Sequence, residues 1–456
     1  MGFLDKNKTA PDTYNLQSIE NVTFDTILIY NDLFFNEIYR EIKDIINADR
    51  IYRVGIENSH YILYDKYQIL IQNLKTIYQN SKLSLYKNTQ KSIAYLYDLL
   101  SIKRTTTLFV AKDSIGSNLK HLYLYYHHMN PQTTAIITNN KSELQELKKK
   151  GFNAVAYSSF SSYMYAALAK MIITEQVIAE YFDALSSQQK TLQLWHGISL
   201  KKLYPSTRIS YNYFLGTSAW VNDVTFKNIF QATEFLTCGY PRNDVFFKTI
   251  TKNDLLFCDE AIYTLVKYNF ENNIRSILYM PTYRESAQNN TPPLDFELLN
   301  AKMKAINTFF IVKLHPFALE KFKTTLQEIP HLSHVIFYNT QGDIYPILKY
   351  TDMLVTDYSS IAFDFLLLDR LIIYFDYDYE HYLKTRGAFL LKYADYTPGI
   401  KVKTQDALTQ AIVESFENND TFKAQRSKLK TELFDHCDGN ASQRIYELFC
   451  AKEGSK

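Results

Sequence analysis

The chain of 456 residues is poor in several features that mark particular classes of protein. Its four cysteines, at positions 238, 258, 437 and 450, form no CxxC pair, which argues against a zinc knuckle and a disulfide framework. No run of about 18 apolar residues occurs. Charged residues at positions 5, 6, 8 and 12 interrupt any apolar core of a signal peptide. These absences predict a protein of a reducing cytosol that is neither exported nor membrane-spanning.

Common nucleotide-binding and hydrolase signatures are absent as well. The sequence contains no GxGxxG, Walker loop, HExxH or GxSxG motif, which argues against dehydrogenases, P-loop nucleotide hydrolases, zinc proteases and α/β-hydrolases. Lys and Arg number 50 against 48 Asp and Glu, so a net charge of +2 offers no large field to attract nucleic acid. Hydrophobic residues at 46% and charged residues at 21% are typical of a globular protein.

Length and pattern predict an α/β protein with two domains. From about residue 105, short β-branched runs alternate with longer amphipathic stretches, as in βαβ units around parallel sheets. The first predicted sheet has strands at Thr105–Val110, Ala135–Thr138, Asn153–Tyr157 and Thr191–Trp195, with helices at Lys141–Lys150 and Ser161–Phe182. The second has strands at Ser276–Met280, Phe309–Leu314, His334–Tyr338, Met353–Thr356 and Leu371–Phe375.

The predicted domains are residues 1–235 and 236–456, because a turn cluster at Gly239, Pro241 and Asn243 separates the two series. Residues 405–450 read as two or three helices that close the second domain. Further upstream, the pattern indicates a strand at residues 26–30 and a helix at residues 34–46. Residues 61–78 could form either a strand or a helix. Ligands of open α/β sheets bind at the carboxyl ends of the strands, so both sheets are expected to face one cleft.

Two histidines stand at predicted strand ends, one in each domain. His196 follows an apolar strand and precedes Gly197, and Lys201 and Lys202 come shortly after it. A histidine in this place suits a general base for a hydroxyl nucleophile, although a lone histidine is more often structural. His315, followed by Pro316, ends a strand of the second sheet in the same way.

Anion-binding candidates lie in the second series. Asp357, Ser359 and Ser360 form a polar turn between a strand and a helix, where backbone N–H groups would bind a diphosphate. As a plain helix cap, the same pattern is common. Arg242 and Arg284 each follow a turn and suit bidentate contact with phosphate, with Lys201 as a further contact; Arg242 equally suits a role in organising its own turn.

Asp376 and Asp378 form an Asp-x-Asp pair of the kind that holds a divalent cation in one class of nucleotide-sugar transferases. Two carboxylates without further oxygen ligands are weak evidence for a metal. We therefore expect neither a metal nor another cofactor.

Taken together and in order, six motifs resemble the CDP-glycerol glycerophosphotransferase family, whose members build or prime teichoic-acid-like polymers. The motifs are Trp195-His196-Gly197 with Lys201, Gly239-x-Pro-Arg-Asn-Asp244, Pro281-Thr-Tyr-Arg284, Lys313-x-His-Pro316, Asp352-x-x-x-Thr-Asp-Tyr-Ser-Ser360 and Phe363-Asp-Phe365. The resemblance extends from Asn118 to Asp438-Gly439 and covers roughly residues 105–450. Residues 1–104 fall outside it.

The resemblance implies a GT-B fold and transfer of glycerol phosphate from CDP-glycerol to an acceptor hydroxyl, with release of CMP and without a metal. His196 and His315 would be the catalytic residues, with His196 as the base. His315, Arg284 and the Ser359/Ser360 helix start would offset charge on the diphosphate, and Lys201 and Arg242 would contact the acceptor or a phosphate. The first domain would bind the acceptor and the second the CDP donor. A lipid- or glycan-linked polymer acceptor is implied, and with it peripheral contact with the inner face of the cell membrane. Two alternatives stay open: a transferase of the same fold using CDP-ribitol or a nucleotide sugar, and a non-catalytic module of a surface-polymer assembly complex.

Overall fold

The computed structural model describes residues 3–4, 13–14, 27–29, 51–57, 60–64, 66–176, 181, 185–202, 209–282, 284, 293–314, 332–338, 342–417 and 420–450. Contacts divide the chain into two compact units, residues 1–88 and 89–456. The predicted helix at 34–46 lies outside the described residues.

The first unit contains short strands and the start of a long helix. Strands β1 (Phe3–Leu4) and β2 (Thr13–Tyr14) pair in parallel. Strands β3 (Ile27–Ile29), β4 (Ile51–Glu57) and β5 (His60–Tyr64) form a sheet in which β5 is antiparallel to β4. Helix α1 (Lys66–Leu99) follows. The strand predicted at 26–30 is confirmed, and the ambiguous stretch at 61–78 divides into β5 and the start of α1.

The first sheet of the second unit has seven parallel strands. They are β6 (Thr106–Ala111), β7 (Thr134–Thr138), β8 (Ala154–Ala156), β9 (Ala169–Thr174), β10 (Lys190–Gln193), β11 (Ser210–Leu215) and β12 (Gln231–Leu236). Their order across the sheet is β12-β11-β10-β9-β6-β7-β8. Helices α2 (Ser117–Met129), α3 (Lys141–Lys149) and α4 (Phe160–Leu168) connect the first four.

The predicted helix at Ser161–Phe182 is wrong beyond Leu168. Helix α4 ends there, and Ala169 begins β9, which pairs with β6 on one side and β10 on the other. Four consecutive residues of this central strand, Met171–Thr174, are buried. A strand covered on both faces loses its alternating pattern, so periodicity alone does not separate it from a buried helix.

The second sheet has six parallel strands in the order β15-β14-β13-β16-β17-β18. They are β13 (Arg275–Tyr279), β14 (Thr308–Val312), β15 (Val335–Phe337), β16 (Met353–Thr356), β17 (Leu371–Phe375) and β18 (Ile400–Val402). The helices are α5 (Glu260–Glu271), α6 (Phe296–Ala305), α7 (Tyr345–Leu348), α8 (Ile361–Phe365), α9 (Tyr379–Arg386), α10 (Tyr393–Tyr396), α11 (Gln405–Glu417), α12 (Lys423–Leu433) and α13 (Ala441–Cys450).

The predicted α/β class with two Rossmann-like parallel sheets and C-terminal helices is confirmed. The last helix, α13, returns to the first sheet: the Tyr446 ring lies 4.9 Å from that of Tyr126 on α2, and Asp244 accepts hydrogen bonds from the α13 backbone at Ala441 and Ser442. The domain boundary near residue 235 stays a prediction. Among the described residues, no helix combines the length and the apolar character that crossing a bilayer requires.

Candidate active site

The loop after β10 presents His196 at the carboxyl end of the first sheet. Trp195 has a φ of 55° and Gly197 a φ of 137°, so the chain turns sharply on either side of the histidine. Trp195 is buried while the His196 side chain is exposed. The left-handed region is rare for a bulky residue, which means that contacts around the loop must hold it in place.

Gly197 brings this loop against the second sheet. A methyl group on Gly197 would lie 2.9 Å from Nη2 of Arg242 and 3.2 Å from Oγ of Ser360, which precedes α8. Only a residue without a side chain allows this approach at a φ of 137°. The structure therefore brings His196 and Ser360, predicted from different domains, to one cleft.

Arg242 links the two sides of that cleft. Its Nη1 donates to the His196 carbonyl at 2.9 Å, and its Nη2 donates to Oδ2 of Asp364 on α8 at 2.6 Å. Asp364 also accepts from the Tyr345 hydroxyl at 2.7 Å and from Nδ2 of Asn243 at 3.0 Å. Burial alone would lower the pKa of Arg242, but the Asp364 carboxylate raises it above its ordinary value. The guanidinium is therefore charged and tied to the protein, and its predicted contact with acceptor or phosphate stays a prediction.

The electrostatics around His196 favour the neutral imidazole. Burial in the cleft, and secondarily the Arg242 charge, lower the pKa of His196 to about 4. The side chain nevertheless keeps solvent access. Even at the ordinary pKa of about 6.5, most of the imidazole would be neutral at pH 7. A neutral histidine that reaches the cleft is able to accept a proton.

The polar turn after β16 lies where the sequence predicted it, but its serines do not cap a helix by their side chains. Ser359 and Ser360 are half-buried, and Ser360 occupies the cap position of α8 without a side-chain cap hydrogen bond. Helix α8 has only five residues and continues as a 3-10 turn at Leu366–Leu368. The hydroxyl of Ser360 therefore faces the Gly197 loop rather than the helix backbone.

Asp357 and Arg284 belong to a buried ionic cluster. Arg284 donates from Nη2 to Asp357 at 2.8 Å and from Nε to Asp378 at 2.7 Å. Asp357 also accepts from the Thr282 backbone N–H at 2.8 Å, and Asp378 from the Tyr358 hydroxyl at 3.1 Å. Both predicted donor-binding residues thus have protein partners. Their roles toward a phosphate stay predictions, and a phosphate would have to compete with two carboxylates for Arg284.

The Asp-x-Asp pair is engaged by other side chains. Asp378 binds Arg284, and Asp376 accepts from the Tyr393 hydroxyl at 3.1 Å. In the part of the chain that the structure describes, no group of three or more His, Cys, Asp or Glu side chains is arranged to hold a metal ion.

Lys201 contacts residues on the second-sheet side of the cleft, away from Arg242. Its backbone pairs with that of Phe389, and its Nζ lies 5.6 Å from the Tyr382 ring centroid. Tyr382 stacks on Tyr358 at 4.1 Å, and Arg284 lies 5.2 Å from both of these rings. Lys201 and Arg284 therefore approach one aromatic cluster.

His315 lies outside the described residues, so its place relative to His196 stays a prediction. The strand that leads to it ends at Val312, and Lys313 follows with its Nζ 4.5 Å from the Tyr338 ring centroid. Burial lowers the pKa of Lys313 to about 8.

Three polar residues near the cleft had no role in the sequence analysis. Glu175 follows β9 and was hidden by the wrong helix prediction. Tyr345 lies outside the six motifs, so no signal in the sequence pointed to it. Asp364 stood within the Phe363-Asp-Phe365 motif, which was the signal available for it, but the sequence did not indicate that it binds Arg242.

With this geometry established, comparison with known proteins identifies the family. A family model described as CDP-glycerol:poly(glycerophosphate) glycerophosphotransferase matches residues 93–450. The chain belongs to this family. The resemblance inferred from the motifs is confirmed.

Two curated relatives that this chain resembles are longer than it is. It is 30% identical over 280 residues to a teichoic acid poly(ribitol-phosphate) polymerase of Bacillus spizizenii, a match that covers 56% of this chain and 42% of the relative. It is 24% identical over 382 residues to a teichoic acid poly(glycerol phosphate) polymerase of Bacillus subtilis, covering 77% of this chain and 49% of the relative. The chain thus spans about half the length of these relatives.

A solved structure supports the fold. The wall teichoic acid polymerase TagF superimposes with a TM-score of 0.66 at 19% identity, covering 85% of this chain and 97% of the solved one. This likeness confirms the predicted GT-B arrangement.

Proposed function

We propose that the protein transfers glycerol phosphate from CDP-glycerol to an acceptor hydroxyl and releases CMP. The observation that carries this proposal is the close approach of Gly197 to Ser360 and Arg242, because Gly197 follows the candidate base His196 and Ser360 belongs to a polar turn of the opposite sheet. Family membership supplies the donor class. Of the named relatives, one is a ribitol-phosphate polymerase and one a glycerol-phosphate polymerase, so CDP-ribitol remains the alternative donor.

In the proposed reaction, neutral His196 accepts the proton of the acceptor hydroxyl as its oxygen attacks the phosphorus that bears glycerol. The new P–O bond forms while the bond to the CMP phosphate breaks, and CMP leaves with the electron pair. The imidazolium then releases its proton to water. Backbone and hydroxyl donors of the Ser359/Ser360 turn, together with His315, would stabilise the charge on the diphosphate, mainly by positioning and electrostatics.

The acceptor belongs to this proposal as well. A growing polymer on a lipid or glycan supplies a terminal hydroxyl, and a lipid-linked one would bring the protein to the inner face of the membrane as a peripheral partner. The teichoic acid names of the relatives support such a polymer.

The test is nucleotide release. The purified full chain is incubated with CDP-glycerol, CDP-ribitol or a UDP-sugar in the presence of a polyol-phosphate acceptor, and CMP or UDP is measured. We expect CMP from CDP-glycerol. Release from CDP-ribitol alone would move the donor to the alternative, and release of UDP alone would contradict the proposal.

The matched variants are His196→Ala and His128→Ala, the latter removing an exposed histidine near the end of α2. General base catalysis contributes roughly 10²-fold to 10⁴-fold. His196→Ala should therefore lower kcat by at least about 10²-fold, leaving donor affinity nearly unchanged, whereas His128→Ala should leave both unchanged. A loss below about tenfold in His196→Ala would exclude it as the base.

A further inference from the structure

The backbone at Trp195 adopts a conformation that needs external support. Its φ of 55° lies in the left-handed region, which a bulky residue rarely occupies. Residues held in this way persist only where the surrounding structure determines them, and they cluster at active sites. Because Trp195 directly precedes His196, its conformation sets the direction in which the imidazole leaves the sheet.

Three hydrogen bonds hold three successive peptide groups: the one before Trp195, the one between Trp195 and His196, and the one after His196. Gln193 Oε1 accepts from the Trp195 N–H at 3.0 Å. Asn118 Nδ2 donates to the Trp195 carbonyl at 3.0 Å. Arg242 Nη1 donates to the His196 carbonyl at 2.9 Å. Gln193 acts within its own strand end, whereas the other two come from separate elements.

Asn118 ties these elements together. Its side-chain oxygen accepts from the backbone N–H of Arg242 at 3.3 Å, while its amide nitrogen donates to the Trp195 carbonyl. One fully buried side chain therefore contacts both the loop and Arg242, the other residue that holds the loop from a distance. The two polar ends of an asparagine are a donor and an acceptor, which suits this bridge. An aspartate at position 118 would have nearly the same size but no N–H group to donate to the Trp195 carbonyl.

The position of Asn118 is itself fixed. It is the second residue of α2, and the next residue, Leu119, donates its backbone N–H to Oε2 of buried Glu175 at 3.0 Å. A methyl group on Gly116 would lie 2.2 Å from that same oxygen, so the helix start is packed directly on Glu175.

We propose that Asn118 is a positioning residue, which holds Trp195 in its left-handed conformation and thereby aims His196 into the cleft. Its consequence for catalysis rests on the proposed function, but the placement of His196 is measurable without substrate. Without the Asn118 amide, the Trp195 peptide is free to relax toward an ordinary conformation, which turns the imidazole away. Misplacement of a reacting group by about 1 Å costs on the order of 10²-fold in rate.

The test compares Asn118→Ala with Asn222→Ala. Asn222 is also buried at the carboxyl edge of the first sheet, and its Nδ2 donates to the Leu236 carbonyl at 3.1 Å, so its loss removes a similar bond away from the histidine loop. The first readout is the NMR titration of the His196 imidazole in the substrate-free protein, assigned with His196→Ala. We expect its lowered pKa to rise toward 6.5 in Asn118→Ala and to stay unchanged in Asn222→Ala.

The second readout is steady-state kinetics. In Asn118→Ala we expect kcat to fall about 10-fold to 100-fold while the KM for CDP-glycerol changes less than about twofold. Asn222→Ala should leave both near the wild-type values. If Asn118→Ala does not fold, Asn118→Leu replaces it, because that variant keeps the size of the side chain, adds no charge and removes the donor to Trp195 together with the acceptor.

The outcomes separate the two claims. An unchanged His196 titration in a folded Asn118 variant overturns the positioning role, whatever the activity. A shifted titration with unchanged kcat also overturns it, provided that His196→Ala is inactive. Retention of activity in His196→Ala contradicts the proposed function instead, while the titration still decides whether Asn118 positions the histidine.

Discussion

Loss of the Arg242 guanidinium should destabilise the protein strongly, because it breaks a buried ion pair. The side chains of Arg242 and Asp364 are 6% and 2% exposed, and their closest atoms lie 2.6 Å apart. In Arg242→Met, Asp364 keeps only the neutral donors of Tyr345 and Asn243. Removing one partner of a buried pair typically costs about 3–5 kcal/mol, a large part of the about 5–15 kcal/mol that stabilises a domain.

A double-mutant cycle isolates the pair from other effects. Asp364→Asn should also destabilise, because it leaves Arg242 as an uncompensated buried charge. The double variant has no charge left at this pair. Its loss of stability should therefore be smaller than the sum of the two single losses by about 1–3 kcal/mol. Arg275→Met is the control: this exposed arginine rests on the Phe416 ring at 4.1 Å, and its loss should cost no more than about 0.5 kcal/mol.

Urea unfolding followed by tryptophan fluorescence measures the cycle, since Trp195 lies in the loop that Arg242 holds. The free energies are comparable where the urea dependence is the same in all variants. If the stability losses of the two single variants add up to that of the double variant within about 0.5 kcal/mol, the reasoning is refuted, because independent sites are additive and coupled charges are not.

Four further predictions follow from the cleft. Because the pKa of His196 is lowered to about 4, kcat/KM should stay nearly level from pH 7 down to pH 5. With an unshifted histidine as the base, kcat/KM would fall about 30-fold by pH 5. A pH–rate profile in which kcat/KM falls below a pKa near 6.5 would contradict this. Burial raises the pKa of Glu175 to about 7 from 4.5. The stability of the wild type relative to Glu175→Gln should therefore be greatest below pH 4.5 and fall by up to about 3 kcal/mol as the pH rises to 7. If urea titrations gave both proteins the same pH dependence of the free energy of unfolding across that range, this prediction would be wrong. Ser360→Ala and His315→Ala should weaken binding of a nonreactive CDP-glycerol analogue, by about 10-fold to 100-fold for His315→Ala, and calorimetric titration showing wild-type affinity in both would remove the donor from this turn. Activity should persist in EDTA; restoration of an EDTA-inactivated enzyme by Mg²⁺ or Mn²⁺ would return Asp376 and Asp378 to consideration as ligands.

The sequence predicted the strands of the second sheet well because their ends are marked. Each predicted run there is apolar and β-branched and is bounded by polar or turn residues, and five of the six strands lie within a residue or two of their predicted positions. The sixth, β18, has three residues and too short a pattern to show. In the first sheet, β9 follows α4 without a turn, so no signal marked the change. Strands β11 and β12, which begin with polar residues, were missed as well.

For the candidate site, motifs showed which residues gather but not which of them bind each other. Arg242 and Arg284 both stand after turns at the cleft, as expected for phosphate ligands. In the structure their charges meet three carboxylates, those of Asp364, Asp357 and Asp378. A sequence pattern places residue types at a sheet edge, whereas the partner of a charge depends on contacts between elements far apart in the chain, such as 242 with 364.

The ion pairs of Arg242 and Arg284 also set the charge of the two clusters. Two arginine charges against three carboxylates leave these clusters with an excess of one negative charge. A phosphate bound by either arginine, as the sequence predicted, would have to compete with the carboxylates that already bind it. Lys201 lies at the aromatic cluster that Arg284 also approaches, with its Nζ 5.6 Å from the Tyr382 ring centroid. Arg242 also holds the His196 loop against α8, because one guanidinium donates both to the His196 carbonyl and to Asp364.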